Sequence, residues 1–142
     1  MISHIASHDP LEASRKAEAA QAAKRRASAK PGRTVVFRIK RCEGPNKPSY
    51  WQDFKVPVPA NANVISSLQW IAANPVTTDG KRVAPVVWDS GCLEEVCGAC
   101  TMVINGKVRQ SCSCLIDEYA PSEGDVITLE PMSKFPVIRD LW

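Results

Sequence analysis

The sequence predicts an α+β fold, and three observations lead to this prediction. Two stretches with alternating apolar side chains follow one another from residue 34, and a capped helical pattern comes directly after them. Shorter strand patterns return after residue 100. A chain of 142 residues has room for one domain, which we place at residues 34–142 behind an extension at residues 1–33.

The extension at residues 1–33 is basic and rich in alanine. It carries seven Lys and Arg against three Asp and Glu, a net charge of +4. Asp9, Pro10 and Glu12 form a helix-start signal, with a cap, a proline at the first helical position and an acidic residue three after the cap. The residues that follow favour a helix but lack the apolar stripe of a packed one. We therefore expect a solvated extension, helical or disordered, with contact to a partner or a membrane surface as the alternative.

The domain begins with a predicted β-hairpin. Val35, Phe37 and Ile39 lie at alternate positions, which places them on one face of a strand. A turn rich in Gly, Pro and Asn separates this strand from a second one at residues 50–58.

A helix follows the hairpin. Either Asn61 or Asn63 caps its start, and Asn74-Pro75 ends it. The apolar residues at helical spacing are Val64, Leu68 and Ile71.

The last third of the domain returns to strands. Asn105-Gly106 lies between two short strand patterns and favours a type I′ hairpin turn. Residues 126–131 (VITLEP) form the last predicted strand. Two strands, a helix, a loop and further strands follow the order of the β-grasp fold, which plant-type ferredoxins use.

Four cysteines stand in the pattern C-x4-C-x2-C-x11-C, namely Cys92, Cys97, Cys100 and Cys112. The first three match the opening of plant-type 2Fe–2S sites, in which a distant fourth cysteine completes the set. Small residues between two of these cysteines, Gly98 and Ala99, let the backbone curl round an inorganic core and direct its N–H groups at the sulfurs. We predict that these four thiolates bind a 2Fe–2S cluster and that the chain carries electrons.

The other two cysteines match no ligand position. Cys42 lies at the end of the first predicted strand and is interpreted as incidental. Cys114 lies two residues beyond Cys112, so both side chains point to the same face if the strand continues. We interpret Cys114 as a small buried side chain near the cluster, with an alternative ligand role as the other interpretation.

Two further features belong to the cysteine loop. Asp89-Ser90-Gly91 precedes it and is typical of a turn. Glu94 and Glu95 lie inside it, where a solvated loop face is the simplest interpretation. Our hypothesis is that at least one of them adds negative charge near the cluster and lowers its potential. No general base or nucleophile is evident, so we expect no catalytic residue.

Structural zinc is the main competing interpretation, because Cys97 and Cys100 also have the spacing of a zinc knuckle. Zinc sites usually pair two such knuckles, and the second half here would be Cys112-x-Cys114. A disulfide framework is disfavoured because no apolar signal segment opens the sequence. Residues 34–142 carry eleven basic against twelve acidic residues, a net charge of −1, which argues against binding of nucleic acid.

Residues 34–142 resemble the N-terminal half of the iron–sulfur subunit of succinate dehydrogenase and fumarate reductase. Four stretches carry the resemblance: NVISSLQWI, VVWDSGCLEEVCGACTMVINGK, RQSCSCLID and LEPMSKFPVIRDL. The cysteine loop is most similar to the branch found in menaquinone-linked bacterial complexes. The resemblance implies the same four cysteine ligands. It also implies relay of single electrons between a flavoprotein subunit, which alone carries FAD, and downstream clusters and quinone.

The sequence departs from that family at its end. The family's subunit continues into a helical domain with 4Fe–4S and 3Fe–4S clusters, whereas no cysteine follows Cys114 and the sequence stops at Trp142. A separate chain or domain is therefore expected to carry those clusters, with a membrane anchor subunit as an indirect partner. The resemblance implies a cytoplasmic location, peripheral on the inner face of the bacterial membrane, or alternatively the mitochondrial matrix side.

Two other electron-transfer functions are compatible with the cysteine pattern. A free-standing ferredoxin-type carrier is one, but it would usually be more acidic than this domain, because charge steers electron-transfer partners. The 2Fe–2S small subunit of molybdenum hydroxylases is the other. In that family the cysteine loop lies nearer the start and a second cysteine set follows, which does not suit this sequence.

Overall fold

The computed structural model describes residues 10–142. The helices are α1 (Pro10–Ser28), α2 (Val64–Ala73) and α3 (Ile116–Tyr119). The strands are β1 (Arg33–Arg41), β2 (Tyr50–Val58), β3 (Thr101–Ile104), β4 (Lys107–Gln110) and β5 (Val126–Glu130). Asp9, the predicted cap of the first helix, lies outside the described residues.

The strands form one mixed sheet in the order β2-β1-β5-β3-β4. β1 pairs antiparallel with β2 and parallel with β5, and β3 pairs antiparallel with both β4 and β5. Val35, Phe37 and Ile39 are fully buried on one face of β1, as their alternation predicts. The predicted type I′ turn also forms, because Asn105 and Gly106 both have positive φ, at 48° and 78°. The α+β prediction is confirmed.

Helix α2 packs its apolar side against the sheet. Asn63 rather than Asn61 caps it, since the Asn63 side chain accepts a hydrogen bond from the N–H of Ser66 at 2.8 Å. The Ser66 hydroxyl accepts the N–H of Asn63 in return, at 3.2 Å, which completes a capping box. The apolar residues predicted to face the core, Val64, Leu68 and Ile71, are all fully buried.

Helix α1 lies beside β4 and α3 without burying any residue of its own. Lys107 pairs with Glu18 at 3.3 Å, and Arg26 pairs with Glu118 at 3.7 Å. Arg25 donates a hydrogen bond to the backbone carbonyl of Glu118 at 3.3 Å. The extension is thus helical over Pro10–Ser28 and touches the sheet domain through charged side chains. Among residues 10–142, no helix is both long enough and apolar enough to cross a membrane.

The start of β1 is fixed by a buried ion pair. The Arg33 guanidinium lies 2.9 Å from the carboxylate of Asp117 and also donates to the carbonyl of Ala120 at 2.6 Å. Asp117 accepts a second hydrogen bond from the N–H of Asn61. Both charges are therefore satisfied in the interior, as burial requires. The division into an extension at residues 1–33 and a domain at residues 34–142 stays a prediction.

Candidate functional site

The four candidate ligands come from three positions around one loop. Cys92 and Cys97 lie in the loop itself, Cys100 directly precedes β3, and Cys112 follows the end of β4. Because β3 and β4 form a hairpin, Cys100 and Cys112 are brought side by side. The hairpin closes tightly at this point, since Ser111 donates both its N–H and its hydroxyl to the carbonyl of Cys100, at 3.1 and 2.8 Å.

The sulfur of Cys92 lies in a concave ring of backbone N–H groups. Glu94, Val96 and Cys97 point their N–H groups at it, with N···S distances of 3.3, 3.4 and 3.3 Å. The loop achieves this by taking left-handed backbone conformations at Leu93 and Glu95, both with φ of 60°. Such rings of N–H groups are anion sites. These hydrogen bonds lower the pKa of the Cys92 thiol to about 7, so the loop favours the thiolate that a metal ligand must be.

The sulfur of Cys97 faces the same region. It accepts the N–H groups of Cys92 at 3.4 Å and Ala99 at 3.5 Å. Gly91 approaches so closely that a Cβ built on it would lie 2.9 Å from the Cys97 sulfur. The turn interpretation of residues 89–91 does not include this contact, and the signal for it in the sequence is a glycine directly before Cys92.

The second pair of thiols is buried. Cys100 and Cys112 are both buried and pack against Ile65 of α2. Burial, together with the neighbouring Cys100 thiol, raises the pKa of the Cys112 thiol. The helix cap also holds this cysteine, because the Asn63 side-chain amide donates to the carbonyl of Cys112 at 3.0 Å. One residue thus caps α2 and positions the fourth cysteine.

The sulfurs of Cys92 and Cys97 contact each other's backbone within the loop. The Cys112 thiol contacts that of Cys100, and Cys92 lies near enough to act on Cys112 as well. Structural zinc needs four ligands around one point, whereas a 2Fe–2S cluster needs two thiolates at each of two irons. The pairwise contacts of the four thiols match the two thiolates that each iron of a 2Fe–2S cluster needs.

Cys42 and Cys114 make contacts outside the cysteine loop. Cys42 is buried and donates to the carbonyl of Gly44 at 3.0 Å. β4 ends at Gln110, so no continuing strand gives Cys112 and Cys114 a common face. Cys114 belongs to the main apolar core, where burial raises the pKa of its thiol to about 12. Its core position agrees with the interpretation as a small buried side chain.

Asp140 and Leu141 form hydrogen bonds to Val87, in the segment that precedes the cysteine loop. Asp140 accepts hydrogen bonds from two guanidinium nitrogens of Arg41, at 2.9 and 3.2 Å, and from the N–H of Val87 at 2.9 Å. Leu141 adds a backbone hydrogen bond to the carbonyl of Val87 at 3.1 Å. Sequence reasoning missed this pair because Arg41 and Asp140 are 99 positions apart and no local pattern links them.

Comparison with known proteins agrees with this geometry. Residues 36–142 match the family described as the 2Fe-2S iron-sulfur cluster binding domain, and the chain belongs to that family. The match spans the loop and the four cysteines.

Two curated proteins are similar to this chain in sequence. The chain is 50% identical over 109 residues to the succinate dehydrogenase iron-sulfur subunit of Bacillus subtilis, covering 77% of this chain and 42% of the relative. It is 32% identical over 91 residues to the fumarate reductase iron-sulfur subunit of Mycobacterium tuberculosis, covering 64% of this chain and 33% of that protein. The resemblance drawn from the motifs is confirmed.

A solved structure shares the fold. A chain of the Mycobacterium smegmatis Sdh1 complex in the apo form superposes with a TM-score of 0.65 at 25% identity, covering 78% of this chain and 42% of that one. The chain thus spans less than half the length of each of these relatives.

Proposed function

We propose that this chain is the 2Fe–2S part of an iron–sulfur subunit of the succinate dehydrogenase and fumarate reductase type. It relays single electrons between the FAD of a flavoprotein subunit and downstream clusters and quinone. The observation that carries the proposal is the arrangement of four thiols in two pairs, within a stretch that matches the 2Fe–2S family over residues 36–142.

Each of the two irons is coordinated by two of the four cysteines. Cys92 and Cys97 supply two thiolates to one iron, and Cys100 and Cys112 supply two to the other. A bound 2Fe–2S cluster supplies one-electron redox chemistry. The protein contributes the N–H groups around the Cys92 sulfur, which stabilise negative charge there, and the burial of the second pair, which excludes water.

One side of this site is open to solvent. Cys97 is exposed, and it is flanked by apolar side chains that water contacts freely, Leu93 at 54% and Val96 at 79% exposure. Exposed apolar residues of this size beside a redox site favour contact with another protein. We assign the flavoprotein subunit to this edge, because electron transfer needs a short path and no covalent step.

Further partners follow from the similarity to longer relatives. A chain or domain with 4Fe–4S and 3Fe–4S clusters takes up the electrons, and a membrane anchor subunit holds the complex. The site of action is the inner face of the bacterial cytoplasmic membrane, where the chain is peripheral.

The first test is the metal content of protein prepared anaerobically. About two irons and two sulfides per chain, with a rhombic S = 1/2 EPR signal after dithionite reduction, are expected for the plant-type cluster. Zinc in place of iron, with no visible absorption, would overturn the electron-transfer proposal.

The second test concerns the partner. Reconstituted chain is mixed with the flavoprotein subunit of a succinate dehydrogenase and with succinate. Bleaching of the cluster absorption that requires both additions supports the assignment. In the opposite outcome, the cluster is reduced by dithionite but not by succinate and the flavoprotein together. That result would contradict the assignment and leave a free-standing carrier as the function.

A further inference from the structure

Gln110 lies at the end of β4, next to the cysteine loop but outside the ligand set. Its backbone is fixed on both sides, because it pairs with Thr101 of β3 and its carbonyl accepts the hydroxyl of Ser113 at 3.2 Å. Its side-chain Nε2 donates to the backbone carbonyl of Glu95 at 3.4 Å. A rigid strand therefore reaches across to the middle of the loop.

The orientation of this amide is determined by its partner. A carbonyl oxygen only accepts hydrogen bonds, so the nitrogen end of Gln110 must face Glu95. The oxygen end, Oε1, is buried and accepts no hydrogen bond from any residue in the described part of the chain. Turning the amide over would place two oxygens against each other. The side chain is thus held by its donor end alone.

The carbonyl that Gln110 holds belongs to the peptide unit between Glu95 and Val96. That unit is trans and planar, so its N–H points away from its carbonyl. The N–H is that of Val96, and it lies 3.4 Å from the Cys92 sulfur. Gln110, the peptide unit and the sulfur therefore form one continuous hydrogen-bonded chain in which each bond polarises the next.

We propose that Gln110 is a positioning residue for the cluster, acting through the Glu95–Val96 peptide to direct the Val96 N–H at the Cys92 sulfur. The inference rests on the proposed function, since it assumes that Cys92 is a ligand. Hydrogen bonds to cluster sulfurs stabilise the reduced, more negative state and raise the potential. Loss of the Gln110 donor weakens one such bond and lowers the potential.

The hydrogen bond from Gln110 helps to hold a strained backbone conformation at Glu95. Glu95 holds a φ of 60°, which non-glycine residues adopt only when surrounding contacts hold them there. The described contacts of its carbonyl include the Gln110 amide, and the Glu95–Val96 unit has one hydrogen bond at each end. Removal of one end leaves the peptide free to rotate away from the sulfur.

The test compares Gln110→Met with wild type as full-length, cluster-loaded protein. Methionine keeps the length and flexibility of the side chain but has no donor. The matched control is Val108→Ala, which removes an exposed side chain from the same strand and leaves the Gln110 amide in place. The readouts are the midpoint potential from an EPR redox titration and the Fe–S stretching frequencies in resonance Raman spectra.

We expect Gln110→Met to lower the midpoint potential and raise a terminal Fe–S stretching frequency, with Val108→Ala unchanged in both. Equal values in all three proteins, or equal shifts in both variants, overturn the role of Gln110 while leaving the cluster assignment intact. A wild-type chain that takes up no 2Fe–2S cluster overturns the proposed function as well.

If Gln110→Met does not retain a cluster, the same question is answered on cluster-free protein. Amide hydrogen exchange at Val96 is then compared among wild type, Gln110→Met and Val108→Ala. Faster exchange at Val96 in Gln110→Met alone supports the positioning role, and equal exchange in all three contradicts it.

Discussion

A Cβ atom on Gly91 would lie 2.9 Å from the sulfur of Cys97. Atoms at this distance overlap, so either the backbone at Gly91 or the Cys97 side chain would have to move. In most places a flexible side chain can yield at little cost. On the proposed assignment Cys97 binds iron and its side chain cannot yield, because the sulfur must stay within bonding distance of the metal.

Gly91→Ala is therefore expected to impair cluster binding more than folding. Iron content should fall well below the roughly two irons per chain of the wild type, with the far-UV circular dichroism unchanged. Gly44→Ala is the matched control, since a Cβ there would meet its nearest neighbour, Lys47, at an ordinary 3.9 Å. A Gly91→Ala protein with full iron content would show that the Cys97 sulfur is free to shift.

Replacement of individual cysteines separates the proposed ligands from the others. Alanine at Cys92, Cys97, Cys100 or Cys112 removes one of four thiolates, and we expect each variant to lose the visible absorption of the cluster. Cys42→Ala should keep about two irons per chain, because that thiol bonds to the carbonyl of Gly44 instead. Iron and sulfide analysis of each variant checks the assignment.

The same analysis applied to Cys114→Ala tests the alternative ligand role. We expect its iron content to match the wild type, because the Cys114 side chain packs in the main core. Suppose that Cys114→Ala loses the cluster and Cys112→Ala keeps it. Cys114 would then be the fourth ligand and Cys112 would not.

Local patterns in the sequence were enough to predict most of the sheet and the ligand loop. The alternation in β1 marks its buried face because it depends on neighbouring residues. The two candidate caps, Asn61 and Asn63, mark the start of α2 for the same reason, and the structure selects Asn63. The short helix α3 was not predicted. Its four residues make a single turn, too short for a helical period to be visible. The strand predicted to continue towards Cys112 ends at Gln110 instead.

The contacts that position the site were hidden for a different reason. Asn63 reaches the carbonyl of Cys112 across 49 positions, and Arg41 reaches Asp140 across 99. Nothing in a single sequence connects such residues. The contact between Gly91 and Cys97 did have a local signal, namely a glycine directly before the first cysteine of the loop. A glycine beside an aspartate and a serine is equally typical of a turn. Only the distance to the Cys97 sulfur distinguishes a turn glycine from one that makes room for the sulfur.

The buried pair of Arg41 and Asp140 leads to a prediction about stability. Asp140→Asn keeps the shape of the side chain and tolerates the φ of 48° at this position, but it leaves the Arg41 charge buried without its partner. Breaking such a pair from one side costs about 3–5 kcal/mol in the free energy of unfolding. Denaturant unfolding of the wild type and the variant measures this difference.

Asp53→Asn provides the comparison for that experiment. Asp53 also binds an arginine through two hydrogen bonds, to Arg38 at 2.9 and 2.8 Å, but the Arg38 side chain is 48% exposed. Water and salt screen exposed pairs, so Asp53→Asn should destabilise the protein far less. Equal losses in the two variants would contradict the importance of burial.

Helix α1 is expected to contribute little to the stability of the domain. Its described contacts include ion pairs at the surface, such as Lys107 with Glu18, and one hydrogen bond from Arg25 to the carbonyl of Glu118, and it buries no residue. Such pairs are each worth about 0–1 kcal/mol and weaken as salt is added. Deletion of residues 1–28 should leave the cluster content unchanged and lower the unfolding free energy by no more than about 1–2 kcal/mol. A deleted protein that fails to fold would show that α1 belongs to the core of the domain.

Glu94 and Glu95 place negative charge between two of the proposed ligands, and both side chains are exposed. Reduction adds an electron to the cluster, so nearby negative charge disfavours the reduced state and lowers the potential. Glu94→Gln and Glu95→Gln remove the charge but leave the backbone N–H groups that point at the sulfurs. We therefore expect at least one of them to raise the midpoint potential, by an amount that shrinks as salt screens the exposed charge. Glu43→Gln, outside the loop, is the control. Potentials that stay equal in all four proteins at low salt would leave Glu94 and Glu95 as a solvated face of the loop.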